Sequence, residues 1–171
     1  MMKKRTFLAL AAATMVAACV QPALFSEQQI RDVAFRSVTV DVSKYEGIKG
    51  RDLTVSPEKL KGDLEPLIAA QLGVSPAGNA DAVITIEKVG LVSPGQSFLI
   101  GGTSTIVADV VVKNTAGEII VPTTRVVGTS EGYAPGGIIG ALATKSVEQD
   151  YQSTISAFAQ KVKKSLYGAQ N

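Results

Sequence analysis

The sequence predicts an α+β fold, a two-layer domain in which an antiparallel-rich sheet of about four strands carries two helices on one face. Four segments alternate apolar and polar residues at the period of a β-strand. Two further segments repeat apolar residues every three to four positions, as amphipathic helices do. Their order along the chain is β-α-β-β-β-α, and packing both helices on the sheet gives the two layers.

The first strand and the first helix are separated by a glycine-containing loop. The strand is predicted at Phe35–Ser43, where valines alternate with serine, threonine and aspartate. The helix begins after Ser56 as N-cap, with Pro57 at its first position, and ends at Gly73 as C-cap. Pro66 lies inside this helix and predicts a kink, because proline has no N–H to donate.

Three more strands are predicted to form an antiparallel meander. They cover Ala82–Val92, Thr103–Lys113 and Glu118–Gly128. Asn114–Gly117 forms the hairpin turn between the last two, since its glycine can adopt positive φ. Pro122 indicates that the last strand is an edge strand or contains a bulge.

The segment Thr144–Tyr167 has the strongest helical pattern in the chain, and Gly168 ends it. Lys161, Lys163 and Lys164 enrich its last turns, where positive charge complements the helix dipole. These lysines form either a solvated helix face or a contact with anionic headgroups. With both helices on one face of the sheet, the other face is left to solvent or to a partner.

The N-terminus has the layout of a secretory signal peptide covering residues 1–18. Lys3–Arg5 is a positive region, and Phe7–Ala18 is an apolar stretch of 12 residues that ends in small side chains. Twelve residues are too few to span a bilayer, which needs about 20. Cys19 follows directly and is the only cysteine in the chain.

The residues Val16–Cys19 resemble the lipobox of bacterial lipoproteins. In that family the cysteine thiol takes a diacylglyceryl group, the peptide is cut before it, and the new amine is acylated. A plain secretory signal cut after Ala18 is the alternative, but a lone exposed thiol is a liability in an oxidising compartment, which favours lipidation of Cys19. Val20 indicates, by the same resemblance, the periplasmic face of the outer membrane, with the outer leaflet of the inner membrane as the alternative.

The rest of the chain is predicted to be one tethered domain. Residues 19–31 are assigned to the lipidated N-terminus and a short tether, and residues 32–171 to a single periplasmic domain. A dozen extended residues reach only about 40 Å, so the domain works close to its membrane.

The composition excludes several classes of function. Residues 1–18 hold three positive and no negative charges, so the chain of net charge +2 becomes about −1 without them, and a nucleic-acid partner is not expected. The chain has no histidine, and its one cysteine is assigned to lipid, which excludes the usual zinc sites and the serine and cysteine catalytic triads. The acidic residues are scattered, so no metal, cofactor or enzymatic activity is expected.

A phosphate-binding loop is also not expected. Gly136–Gly140 followed by Lys145 and Ser146 invites that interpretation, but Thr144 stands where the motif needs glycine, and Ile139 stands where it needs its first glycine. We therefore expect no nucleotide.

Two apolar, glycine-rich loops are the candidate contact surface. They contain Leu99 in the first loop and Tyr133, Ile138, Ile139 and Leu142 in the second. In a meander both loops lie at one end of the sheet, and together they would form an exposed apolar patch of the kind that binds a partner, a ligand or a membrane. The alternative is that these side chains pack under the C-terminal helix as core.

In layout the chain resembles small uncharacterised bacterial lipoproteins, the auxiliary lipoproteins of ABC-type transport systems and, more remotely, activator lipoproteins of peptidoglycan synthases. The resemblance covers the lipobox, the capped helix that ends in Leu72 and Gly73, the meander and the C-terminal helix. It implies a non-enzymatic adaptor or auxiliary subunit of an envelope assembly with a protein partner. A binder of a small lipid-like ligand is the alternative, and an acid-based hydrolase is a third hypothesis.

Overall fold

A computed structural model describes residues 22–93, 96, 102–130 and 145–168. Within this part of the chain, eight helices and strands follow one another. In chain order they are α1 Glu27–Asp32, β1 Phe35–Asp41, β2 Ile48–Lys49, α2 Pro57–Leu72, β3 Ala80–Gly90, β4 Thr105–Asn114, β5 Ile119–Thr129 and α3 Val147–Tyr167.

The strands form one mixed sheet with the order β1-β3-β4-β5. The pairs β3–β4 and β4–β5 are antiparallel, which confirms the meander. The pair β1–β3 is parallel, because α2 carries the chain back to the end of the sheet where β1 begins. The two-residue strand β2 pairs with the far end of β3 beside β1. The sheet with helices packed against it confirms the predicted α+β class.

The first predicted helix has the expected ends. The Ser56 side chain accepts a hydrogen bond from the Lys59 amide at the N-terminus of α2, and Gly73 ends the helix with φ of 67°. Between them α2 runs unbroken through Pro66, and one of its faces is buried. That face consists of Leu60, Leu64, Ile68 and Leu72.

The helix α3 begins two residues after its predicted region starts to lose definition, at Ser146 rather than near Thr144. The Ser146 side chain accepts from the Gln149 amide, and the Gln149 side chain accepts in turn from the Ser146 amide, which is a capping box. The Tyr151 hydroxyl donates to Asp63 of α2 at 2.8 Å. Gln71, at the end of α2, and Tyr167, at the end of α3, line the same cleft, so the two helices run in the same direction.

The described part of the predicted tether belongs to the folded domain, which corrects the boundary placed at residue 32. The amides of Leu24 and Phe25 donate to the carbonyls of Ser165 and Leu166 at 2.9 and 3.0 Å. These carbonyls lie in the last turn of α3, where no intrahelical donor remains, so the N-terminal segment supplies one. Phe25 is 3 % exposed.

Burial of Phe25 explains why this segment is not free. Its ring contacts those of Phe35 and Tyr167, with centroid separations of 6.1 and 5.2 Å. The short helix α1 follows, with Ser26 and Gln29 forming a capping box. Burying an aromatic side chain of this size favours packing over solvation by a few kcal/mol, about 1.5–3.

Candidate functional site

The predicted apolar contact residues lie outside the described part of the chain. This holds for Leu99, Tyr133, Ile138, Ile139 and Leu142, and also for the predicted lipidation residue Cys19. What the structure does give is the end of the sheet from which both loops leave.

Both loops leave the same end of the sheet. The first connects β3 to β4, and the second connects β5 to α3. Just before β4, the carbonyl of Ser104 accepts a hydrogen bond from the Ser130 amide, which follows β5, at 2.8 Å. The bases of the two loops are therefore in direct contact, and we call this region the loop end.

A buried polar cluster lies at the loop end. The Ser104 hydroxyl donates to the carboxylate of Asp150 at 2.6 Å and accepts from the Val92 amide at 2.9 Å. The Ser130 hydroxyl accepts from the Ser104 amide at 3.2 Å. Ser104, Ser130 and Asp150 are 1 %, 7 % and 8 % exposed, so these bonds are shielded from water.

Arg51 completes this cluster from the loop between β2 and α2. Its Nη1 lies 3.8 Å from the Asp150 carboxylate and donates to the carbonyl of Lys145 at 3.1 Å. The Arg51 side chain is 5 % exposed. Lys145 directly follows the second apolar loop, so Arg51 fixes the point at which that loop rejoins the described part of the chain.

The chemistry of the cluster is structural rather than nucleophilic. Activation of a serine needs a base that can take its proton, most often histidine, and the chain has none. Here the Ser104 hydroxyl bonds to a carboxylate that already faces a guanidinium. One atom, Arg51 Nε, is buried without a hydrogen-bond partner. Sequence reasoning did not single out any of these four residues, which are up to 99 positions apart and carry no local motif.

The largest described groove lies elsewhere, between β1 and α2. It has a volume of about 670 Å³ and is lined in part by Val38, Gly62, Pro66 and Ala69. A second cleft of about 360 Å³ is lined by Lys163 and Lys164 at the C-terminal end of α3. Neither lies at the loop end, where the small-ligand hypothesis placed its site.

The face of the sheet turned away from the helices carries a chain of ion pairs. Lys44 contacts Glu87 at 2.6 Å, and Arg125 lies 3.7 Å from Glu87 and 3.5 Å from Asp109. The Lys44 ammonium holds the pKa of the Glu87 carboxyl below its usual value. Four charged side chains that alternate in sign form a surface compatible with water.

Two searches of the described residues gave negative results. Across residues 22–93, 96, 102–130 and 145–168, no helix is both long and apolar enough to cross a membrane. In the same residues, no three carboxylate, histidine or cysteine side chains come together as metal ligands could.

Comparison with known proteins identifies two structural neighbours. No known protein family and no curated protein matches the sequence. A candidate lipoprotein from Caulobacter crescentus CB15 is 12 % identical, covers 75 % of this chain and 87 % of its own, and has a TM-score of 0.38. A protein from Xanthomonas campestris assigned to the family DUF330 is 9 % identical, covers 79 % and 77 %, and has a TM-score of 0.34. At this similarity neither neighbour carries an argument about function.

Proposed function

We propose that the protein is a lipid-anchored envelope lipoprotein that acts as a non-enzymatic adaptor, docking another envelope protein at its loop end. Cys19 carries the lipid, and the domain faces the periplasm from the outer membrane. The observation that carries the proposal is the convergence of both apolar loops on one braced end of the sheet, where Ser130 bonds to Ser104.

The braced base supports a docking role because it reduces the entropy lost on binding. Arg51, Ser104 and Asp150 fix the points where the loops begin and end. Loops that start from fixed points lose less conformational freedom when a partner orders them. Apolar side chains on such loops form a patch that water does not favour.

The anchor is tested by metabolic labelling with palmitate. We expect the wild-type chain to incorporate label and Cys19→Ala to lose it, while Ser26→Ala, next to the first buried aromatic residue, keeps it. An unlabelled wild type would contradict the anchor. Separation of the two membranes on a density gradient then tests the outer-membrane assignment, and recovery in the inner membrane overturns it.

The docking role is tested with Leu99→Asp and Ile138→Asp. We expect both variants to fold and to lose most of their crosslinking to an envelope partner, because a charge in an apolar contact is desolvated without a counterion. Thr115→Asp is the matched control, since Thr115 is exposed in the hairpin turn at the opposite end of the sheet.

Two outcomes of this experiment would count against docking. Loss of the folded circular dichroism spectrum in both loop variants would show that these side chains are core. Lipid that copurifies with the wild-type chain and is lost in both variants, with no protein crosslink, would favour the small-ligand alternative.

A further inference from the structure

The N-terminal segment leaves the folded domain beside the edge strand β5. Pro22 and Leu24 line a small cleft together with Thr124, Arg125 and Ser165. Residues 124 and 125 lie midway along β5, which occupies one edge of the sheet. The chain therefore approaches its N-terminal end along the side of the sheet rather than at the loop end.

Cys19 cannot be far from this point. Three residue steps separate Cys19 from Pro22, and fully extended they span about 11 Å. A lipid on Cys19 would hold the bilayer surface within that distance of Pro22. The side of the domain that contains β5 is then the side nearest the membrane.

The surface of β5 is suited to a lipid interface. Ile119 and Val127 are the two exposed large apolar side chains of the described residues, with 63 % and 44 % of their surface accessible. Arg125 lies between them in the sequence, with its side chain 62 % exposed. Apolar groups that enter the boundary of the acyl chains, with a cation among the headgroups, are typical of interfacial binding to anionic lipid.

The same strand is poorly suited to pairing with another strand. Pro122 has no N–H to donate, and the register between β4 and β5 shifts between Val110 and Val112. A proline and a bulge are two of the features by which edge strands avoid adding a further strand. A second copy or an extended peptide therefore fits this edge less well than lipid does.

We infer that the β5 edge, with Ile119, Arg125 and Val127, lies on the anionic bilayer surface to which Cys19 is anchored. This inference rests on the lipid anchor of the proposed function. It adds an orientation: the sheet edge faces the lipid, so the loop end points along the membrane rather than away from it.

The test uses the full chain, processed in a bacterial host and reconstituted in vesicles of phosphatidylethanolamine and phosphatidylglycerol. Since Cys19 is the only cysteine and its sulfur is lipidated, an introduced cysteine is a unique site for a fluorophore. We place it at Val127→Cys and at Lys61→Cys. The Lys61 side chain is 46 % exposed and lines the groove at the opposite edge, beside β1, so it is a control of matched exposure.

We expect aqueous iodide to quench the label at position 127 about threefold less than the label at position 61, because a group 5–10 Å into the interface is shielded from water. Equal quenching in a chain that still incorporates palmitate overturns the orientation and leaves the anchor intact. A chain without palmitate removes the anchor and the orientation together. Shielding at position 127 that persists in the unlipidated Cys19→Ala chain without vesicles overturns the lipid contact in favour of a strand partner.

Discussion

The two faces of the sheet are built from alternate residues of the same strands, yet they differ in almost every physical property. On the face covered by the helices, Ile84, Ile106 and Val110 have no accessible surface. On the open face, Val107 and Val111 are only partly buried and share the surface with Glu87, Asp109 and Arg125. A sheet with this alternation needs only one covering layer.

The difference teaches where the stability of the domain lies. Each large apolar side chain on the covered face contributes about 1.5–3 kcal/mol through burial. An exposed ion pair contributes about 0–1 kcal/mol, since water and salt screen it. The open face therefore adds little to stability but keeps the sheet compatible with water, and its ion pairs favour solvent over a partner on its central part.

The largest expected effect is on the covered face, at Phe158. Phe158 is fully buried and packs so closely on Gly128 that a Cβ there would lie 2.8 Å from its Cα. Phe158→Ala should lower the free energy of unfolding by about 3–5 kcal/mol, since it removes a ring and leaves a cavity. Val107→Ala on the open face is the control and should cost about 1 kcal/mol or less. Urea titration followed by circular dichroism measures both, and similar losses would contradict the contrast between the faces.

An intermediate effect is expected where the covered face meets the loop end, at Ser104. Ser104→Ala removes the hydroxyl that donates to Asp150 and accepts from Val92. It should lower the free energy of unfolding by about 1–3 kcal/mol, because buried polar groups lose a partner. Ser37→Ala, which removes a hydroxyl bonded to the partly exposed Asp81, is the matched control and should cost less. Equal costs would show that the Ser104 cluster is open to water.

The smallest effect is expected from the pH dependence of the partly exposed carboxylate Asp81. Hydrogen bonds from Arg36, and then from Ser37, hold the pKa of Asp81 below its ordinary value. A carboxylate with a lowered pKa stabilises the fold above its unfolded-state pKa, near 4, and this contribution is lost as the pH falls through the folded-state value. Asp81→Asn should therefore be less stable than wild type at pH 6, with the difference vanishing in strong acid. Thermal melts between these limits measure it, and a constant difference would contradict the assigned cause.

The regular elements could be predicted from the sequence because their signals are local. Ser56 and Gly73 bound α2 as predicted, and the Asn114–Gly117 turn joins β4 to β5. A cap or a turn is decided by hydrogen bonds between residues at most four positions apart. Alternation within each strand likewise predicts which residues face the helices.

The features that sequence reasoning missed depend on distant residues. The helix α1 has six residues and none of them is buried, so its pattern alone does not distinguish it from a tether. It is held in place by its neighbours, because Phe25 packs against Phe35 and Tyr167. The cluster of Arg51, Ser104 and Asp150 is assembled from three separate segments, and no spacing in the sequence brings them together.

By itself the sequence determined the α+β class, the helix ends, the meander turn and the alternation of the strands, since each follows from contacts among near neighbours. Tertiary structure alone decided the parallel pairing of β1 with β3, the position of β5 at the edge, and the docking of the N-terminal segment on the last turn of α3. These depend on which surfaces and unpaired backbone groups meet once the elements pack, and hydrogen bonds and apolar burial between distant segments have no local signature.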